Sequence, residues 1–157
     1  MEKNHFYKIT VQWTGNLGKG TRNYRSYTRD HKVEIDGKPD ILGSSDPAFL
    51  GDKNRHNPEE FFLASIASCH MLWYLHFCAV EGVVITDYRD LAEGVMEEDK
   101  SGSGKFTKVV LRPQVEVFSA DMKEEAIKLH AKANDYCFIA NSLNFPVEHK
   151  PVISVMQ

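Results

Sequence analysis

Three thiols are the side chains in this sequence best suited to covalent chemistry, and two of them stand in patterned surroundings. Cys69 lies in the apolar run Phe61–Val80, within a predicted helix that begins with an Asn57 cap and has Pro58 in its first position. Cys137 follows directly on a second, amphipathic stretch. A thiolate is a nucleophile that can be oxidised reversibly. Because a single helical cysteine is more often inert packing, the assignment of chemistry to Cys69 depends on the pattern around it.

Two sequence motifs contain these cysteines. They read Asn57-Pro58-Glu59-Glu60 followed by Ala67-Ser68-Cys69-His70-Met71, and Tyr136-Cys137-Phe138-Ile139-Ala140-Asn141-Ser142-Leu143. In these motifs the sequence resembles the OsmC/Ohr family of thiol-dependent hydroperoxide reductases, from about Tyr7 to Val152. The resemblance implies an α+β protein of OsmC-like fold, in which curved antiparallel β-sheets wrap around two central helices of an intertwined homodimer. It also implies a peroxidase that reduces organic hydroperoxides.

The same resemblance implies roles for the cysteines. Cys69 would attack the hydroperoxide and become a sulfenic acid, and Cys137 would condense with it to form a disulfide. An external dithiol, for which the family suggests a lipoylated protein, would reduce that disulfide, and no bound cofactor is expected. Cys78 lies about 13.5 Å from Cys69 along the same helix and is interpreted as core. The apolar residues that would suit an organic hydroperoxide are Phe61, Phe62, Met71, Trp73 and Tyr74.

A cation is needed near Cys69, because the pKa of a free thiol is near 8.5 and burial raises it. Cys69 lies too deep in its helix to be helped by the N-terminal dipole. The resemblance implies an arginine that is oriented by Glu59, and we favour Arg25. Three other arginines remain as alternatives: Arg29, Arg22 and Arg55. Since Glu59 and Cys69 are separated by about 15 Å along a continuous helix, each site would combine residues of two chains.

Composition limits the class of protein. A chain of 157 residues predicts one domain, here an OsmC-like domain over residues 1–157. Nineteen basic and 22 acidic residues give a formal charge of −3, which offers no reason to expect nucleic acid or an anionic membrane as partner. The substrate is therefore expected to be small and neutral. Three cysteines are too few for a secreted disulfide framework, and the N-terminus lacks a signal-peptide pattern, so we expect a cytoplasmic protein.

The run Phe61–Val80 contains no formally charged residue and is as long as a membrane span. Ser65, Ser68, His70 and His76 interrupt it, and Asn57 caps it as in a soluble helix, which argues against a membrane location. A helix that is apolar on nearly every face must be covered all round. This requirement predicts a partner chain independently of the family resemblance.

Alternation and turn residues predict the other elements. A strand is expected over Phe6–Trp13, one or two more within 23–35, and a functional loop over 37–56 that forms the rim of the active site. Gly82 should end the central helix. Thereafter we expect an antiparallel pair of strands over 83–96 and 106–118. A helix capped by Ser119 should follow over Asp121–Ala133. The chain should end with a helical turn over 137–143 and a last strand over 151–156. On one side of the predicted second helix fall Met122, Ala126, Ile127, His130 and Ala133.

Two other functions remain open. A cysteine hydrolase would need an imidazole beside its nucleophile, and His70 points about 100° away from Cys69, so that His31 or His149 would have to serve. The other alternative is an OsmC-like dimer that binds an apolar ligand and has little or no peroxidase activity. It stays open because His70 and Phe138 differ from the residues that frequently follow the two cysteines in the family. No metal site is predicted, since CxxC and HxxxH spacings are missing.

Overall fold

The computed structural model describes residues 3–157. It divides into two compact units, Met1–Phe61 and Phe62–Gln157, and each is described by itself. The expectation of a single OsmC-like domain over the whole chain stays a prediction.

The N-terminal unit contains a three-stranded antiparallel sheet. Its strands are β1 (Thr10–Trp13), β2 (His31–Glu34) and β3 (Ile41–Gly43), in the order β1-β2-β3, and a short 3-10 turn follows at Pro47–Phe49. Gly43 lies opposite His31, and a Cβ atom at Gly43 would be only 2.3 Å from the His31 Nε2 atom. The glycine therefore lets the imidazole lie across β3.

Two predictions for this unit need correction. The strand expected over Phe6–Trp13 begins only at Thr10, because β2 offers hydrogen-bonding partners to Thr10–Trp13 alone. The segment 37–56 is not a continuous loop, since it contains β3 and the 3-10 turn. Ile41 and Leu42 form a strand there because they pair with β2, a long-range contact that the turn-rich composition does not reveal.

The central helix α1 spans Pro58–Val80 and begins as predicted. The Asn57 side chain accepts a hydrogen bond from the Glu60 backbone N–H at 2.8 Å, and the Glu60 carboxylate accepts one from the Asn57 N–H at 3.1 Å. This reciprocal capping box satisfies two N–H groups that the helix itself leaves unpaired. Gly82, with φ of 75°, ends the helix, and the Val83 N–H bonds to the Cys78 carbonyl at 2.8 Å.

The C-terminal unit contains two three-stranded sheets. Their strands are β4 (Ile85–Asp90), β5 (Glu93–Glu98), β6 (Gly104–Leu111), β7 (Pro113–Val117), β8 (Val147–His149) and β9 (Val152–Val155). The sheet orders are β4-β7-β9 and β5-β6-β8, with parallel pairing of β8 to β6 and of β9 to β7. The predicted antiparallel pairing is present, but the expected single long pair is wrong. It breaks where the Asp90 carboxylate accepts a hydrogen bond from the Arg112 N–H at 2.8 Å, and the two halves enter different sheets.

The second helix, α2, spans Lys123–Tyr136, and 3-10 turns lie at Ala120–Met122 and Ala140–Ser142. The predicted Ser119 cap is wrong, since its side chain makes no capping bond and the chain enters α2 through the first of these turns. Ala126, Leu129 and Ala133 of α2 pack with the buried residues of α1 and β7.

Two helices with three small sheets confirm the α+β class, whereas the homodimer stays a prediction.

By length and composition alone α1 could cross a membrane, a test that the core helices of soluble proteins also pass. Within this single chain, 28% of its most apolar 18-residue window is buried. Leu72, for example, is 63% exposed.

Candidate active site

The Cys69 and Cys137 thiols lie within hydrogen-bonding reach of each other. Cys69 is half-buried in the middle of α1, and Cys137 is fully buried at the residue that ends α2. Burial raises the pKa of Cys137 to about 11, the hydrogen bond with Cys69 acts in the same direction, and the Ala140 N–H, 3.5 Å from Sγ, opposes it. A hydrogen bond that raises this pKa is one in which the Cys137 S–H donates to the Cys69 sulfur. The pair therefore places the more exposed Cys69 sulfur beside a protonated Cys137.

Aromatic rings flank the two thiols. Trp73 lies one turn after Cys69, and its ring is 5.3 Å from that of Tyr136 and 5.5 Å from that of Phe138, the residues on either side of Cys137. A cavity of about 290 Å³ opens beside this group and is lined by Leu72, Trp73 and His76. An apolar molecule of moderate size fits a cavity of this volume and lining.

The other predicted apolar residues have different environments. Phe62 packs against Phe106, with 4.7 Å between ring centroids, and lines a separate cavity of about 420 Å³. Tyr74 is fully buried in the core, where Cys78 also lies. Burial raises the pKa of Cys78 to about 11, which agrees with its interpretation as a core residue.

Glu59 and Arg25 belong to the N-terminal unit. Glu59 stands in the first turn of α1, and its Oε2 atom is buried without a hydrogen-bond partner among the residues that the structure describes. Arg25 is exposed, and within residues 3–157 no ion pair joins it to Glu59. Cys69 and Cys137 belong to the C-terminal unit, so the assembly of all four residues around one thiolate stays a prediction.

Two of the alternative arginines, Arg29 and Arg55, interact with other side chains of the N-terminal unit. The Arg29 guanidinium lies over the Tyr24 ring at 4.1 Å and the Tyr27 ring at 4.5 Å, and donates hydrogen bonds to the carbonyls of both residues. Arg55 lies 3.7 Å from both Asp30 and Asp52. Arg29 and Arg55 are therefore held in place by other groups, whereas Arg25 and Arg22 are both exposed.

A family model of OsmC-like proteins matches residues 51–151. The chain belongs to the OsmC-like family. An OsmC-like protein of unknown function from Vibrio cholerae is 32% identical, with 95% of this chain and 100% of that chain covered and a TM-score of 0.85. No curated protein matches.

Two further solved structures share the fold. The organic hydroperoxide resistance protein OsmC of Legionella pneumophila is 21% identical, covers 97% of this chain and 100% of its own, and has a TM-score of 0.64. The organic hydroperoxide resistance protein OhrB of Bacillus subtilis is 21% identical, with 96% and 98% covered and a TM-score of 0.61. At these identities the likeness concerns the fold, and it confirms the OsmC-like fold expected from the motifs.

This OsmC-like chain also contains a buried histidine cluster that the sequence does not predict. His70 Nε2 and His130 Nδ1 are 3.0 Å apart, and the His149 ring lies 4.4 Å from that of His70. Burial lowers the pKa of His70 and of His130 to about 3, with His149 nearby acting in the same direction, so both imidazoles are neutral at neutral pH. Within residues 3–157 no group of three or more His, Cys, Asp or Glu side chains is arranged so that it could hold a metal ion. The sequence contained one signal of this cluster, since His130 lies among the apolar positions of the predicted second helix.

Proposed function

We propose that this OsmC-like protein is a thiol-dependent peroxidase that reduces organic hydroperoxides. The observation that carries the proposal is the contact between a half-buried Cys69 and a protonated, buried Cys137. Membership of the OsmC-like family supports a peroxide-related redox role. The relatives from Legionella and Bacillus are described as organic hydroperoxide resistance proteins, whereas the relative from Vibrio has no known function.

The proposed reaction has two chemical steps on the protein. The Cys69 thiolate attacks the distal oxygen of the hydroperoxide, the O–O bond breaks, and the alkoxide leaves as an alcohol after it takes up one proton. Cys69 is then a sulfenic acid. The Cys137 sulfur attacks it, releases water and forms the Cys69–Cys137 disulfide. Because Cys137 already lies against Cys69, condensation can precede further oxidation of the sulfenic acid.

The disulfide must be returned to two thiols before the next cycle. We propose that an external dithiol does this by exchange and is itself oxidised to a disulfide, and that a lipoylated protein is the physiological source. This exchange requires a reducing compartment, consistent with a cytoplasmic location. The protein's own residues then supply the whole reaction without a bound cofactor.

The substrate we propose is an apolar hydroperoxide whose organic group occupies the cavity beside Trp73. Cys69 and Trp73 are one helical turn apart and therefore lie on the same face of α1. Leu72, Trp73 and His76 line about 290 Å³, a space that the organic group of a hydroperoxide can fill and that hydrogen peroxide cannot. Burial of apolar surface in this cavity would favour the organic peroxide by about 25 cal/mol per Å².

Activation of Cys69 would come from Arg25 and Glu59 in a homodimer. The buried Glu59 Oε2 atom has no hydrogen-bond donor within residues 3–157, and an arginine fork is the group that best satisfies a carboxylate. Since Glu59 and Cys69 are about 15 Å apart along α1, the Glu59 that acts on a given thiolate would belong to a second chain. A second chain would also cover exposed apolar residues of α1 outside this cavity, such as Val80.

Thiol counting after a single equivalent of peroxide tests this function. Fully reduced protein that receives one equivalent of cumene hydroperoxide should lose two of its three thiols per chain and yield a tryptic fragment that links Cys69 to Cys137. A dithiol should restore both thiols. The Cys78→Ser variant is the matched control, and it should lose both of its remaining thiols.

The same experiment separates the alternatives. A hydrolase would keep its thiols and turn over a thioester or an activated ester, and a protein that only binds ligands would do neither. If Cys69 stays reduced, or becomes sulfinic acid without ever pairing with Cys137, the peroxidase proposal is wrong.

A further inference from the structure

The hydrogen bond between His70 and His130 joins α1, which contains Cys69, to α2, which ends at Cys137. The two ring nitrogens are 3.0 Å apart, the rings are nearly coplanar with an angle of 8°, and both residues are almost fully buried. The Tyr74 ring stacks on His130 at 3.9 Å and an angle of 9°. The hydrogen bond is therefore held in one geometry from several sides.

Each histidine is placed so that it can control the position of one cysteine. His70 directly follows Cys69 on α1. His130 lies seven residues before Cys137, which is two turns and about 10.5 Å along α2, so that His130 and the end of the helix share one face. Ala133, between them on that face, is also fully buried. A hydrogen bond at His130 thus restricts both the rotation of α2 and its translation along α1.

We propose that the His70–His130 hydrogen bond positions Cys137 against Cys69, so that the two histidines are positioning residues for disulfide formation. Its catalytic consequence rests on the proposed peroxidase function, whereas the positioning itself does not. Hydrophobic packing of α2 through Ala126, Leu129 and Ala133 is not directional. A hydrogen bond is directional, and it defines one register where small apolar side chains would tolerate several.

The energetics of the cluster agree with a positioning role rather than with a contribution to stability. His70 Nδ1 and His130 Nε2 are buried and have no hydrogen-bond partner among the described residues. Each such atom costs free energy of folding because burial removes its hydrogen bonds to water, whereas an apolar pair of similar shape would leave nothing unsatisfied. The unpartnered ring nitrogens therefore lower the free energy of unfolding at the point where α1 meets α2.

The test measures the equilibrium between the reduced protein and oxidised glutathione, in which one protein disulfide and two reduced glutathiones form. The equilibrium constant is the effective concentration of Cys137 at Cys69, and no peroxide is involved. In His70→Phe, which keeps a ring and removes the bond, we expect this constant to fall about tenfold or more, because small displacements of reacting groups have effects of that size. In His130→Asn, whose amide can occupy the place of Nδ1, we expect it to stay within about threefold of wild type.

Tyr88→Phe is the matched control, since it removes a buried hydroxyl that also lacks a partner from the ring next to Tyr74 and leaves the histidine bond intact. Thermal unfolding followed by circular dichroism shows which variants are folded at the assay temperature. If His70→Phe does not fold, the double variant His70→Phe/His130→Phe replaces it in the test. This variant leaves no imidazole that has lost its hydrogen-bond partner.

The outcomes are distinct. A wild-type constant in the folded His70→Phe or double variant, or an equal loss in Tyr88→Phe, would overturn the inference. Failure of cumene hydroperoxide to oxidise wild-type Cys69, together with the expected glutathione results, would instead reject the peroxidase function and leave the positioning role standing.

Discussion

Acid should destabilise this protein through His70 and His130, and the sign follows from their burial. Both histidines have pKa values of about 3 in the folded chain, against 6.5 for an ordinary histidine. Below pH 6.5 the unfolded state therefore binds protons that the folded state excludes. Stability from the neutral pair is fully present above pH 6.5 and is lost as the pH falls through 6.5 toward 3.

The size of the effect can be worked out at pH 5. That pH lies about 1.5 units below the unfolded pKa, and at 1.36 kcal/mol per unit each histidine costs about 2 kcal/mol. Both together cost about 4 kcal/mol, a large part of the total stability of a typical domain. His149, whose pKa is also lowered by burial, acts in the same direction. The window from pH 7.5 to pH 5 stays above the pKa range of most carboxylates, so the histidines dominate it.

Urea unfolding between pH 7.5 and pH 5 measures this loss. All samples should have the same chain concentration, because association would make the apparent stability depend on it. The control is His70→Phe/His130→Phe, which removes both titrating groups and should lose at least half of the pH dependence. A wild-type change of less than about 1 kcal/mol, or an equal change in the double variant, would refute the conclusion that these histidines are buried and neutral.

Three further predictions concern the thiols, the helix cap and the assembly. Cys69→Ser should abolish the consumption of cumene hydroperoxide, Cys137→Ser should permit one stoichiometric oxidation and then stall, and Cys78→Ser should stay active; equal loss in all three would contradict the assigned roles. Asn57→Ala should lower the free energy of unfolding by about 1 kcal/mol, because it removes the acceptor of the Glu60 N–H, and urea titration at pH 7.5 would measure this. Size-exclusion chromatography with light scattering should give a dimer at micromolar concentration, whereas a particle of 17.9 kDa would defeat the shared-site proposal.

Features that depend on neighbouring residues were predictable from the sequence. Asn57, Pro58 and Glu60 form the start of α1 within four positions, and Gly82 ends the helix with a positive φ that other residues rarely adopt. The motifs around Cys69 and Cys137 identified the family. The two thiols are in contact, and their pairing as a disulfide stays a prediction.

Features that depend on distant residues were not predictable. The segment 83–96 alternates like one strand, but β4 pairs with β7 and β5 pairs with β6. The bond between Asp90 and the Arg112 N–H marks where the two sheets separate, and these residues lie 22 positions apart. Sequence periodicity describes one strand at a time and contains no information on which sheet that strand enters.

The histidine cluster depends on both neighbouring and distant residues. A histidine in an apolar series predicts only that the side chain is buried, and His130 was found there with 3% exposure. Its partner His70 is 60 positions away, so neither local pattern indicates that two imidazoles share one hydrogen bond. A buried imidazole without a partner leaves both of its ring nitrogens unsatisfied, whereas the shared hydrogen bond satisfies one nitrogen of each ring. His70 and His130 are therefore best understood as one unit, and its place between Cys69 on α1 and Cys137 at the end of α2 connects a polar feature of the core to the chemistry of the thiols.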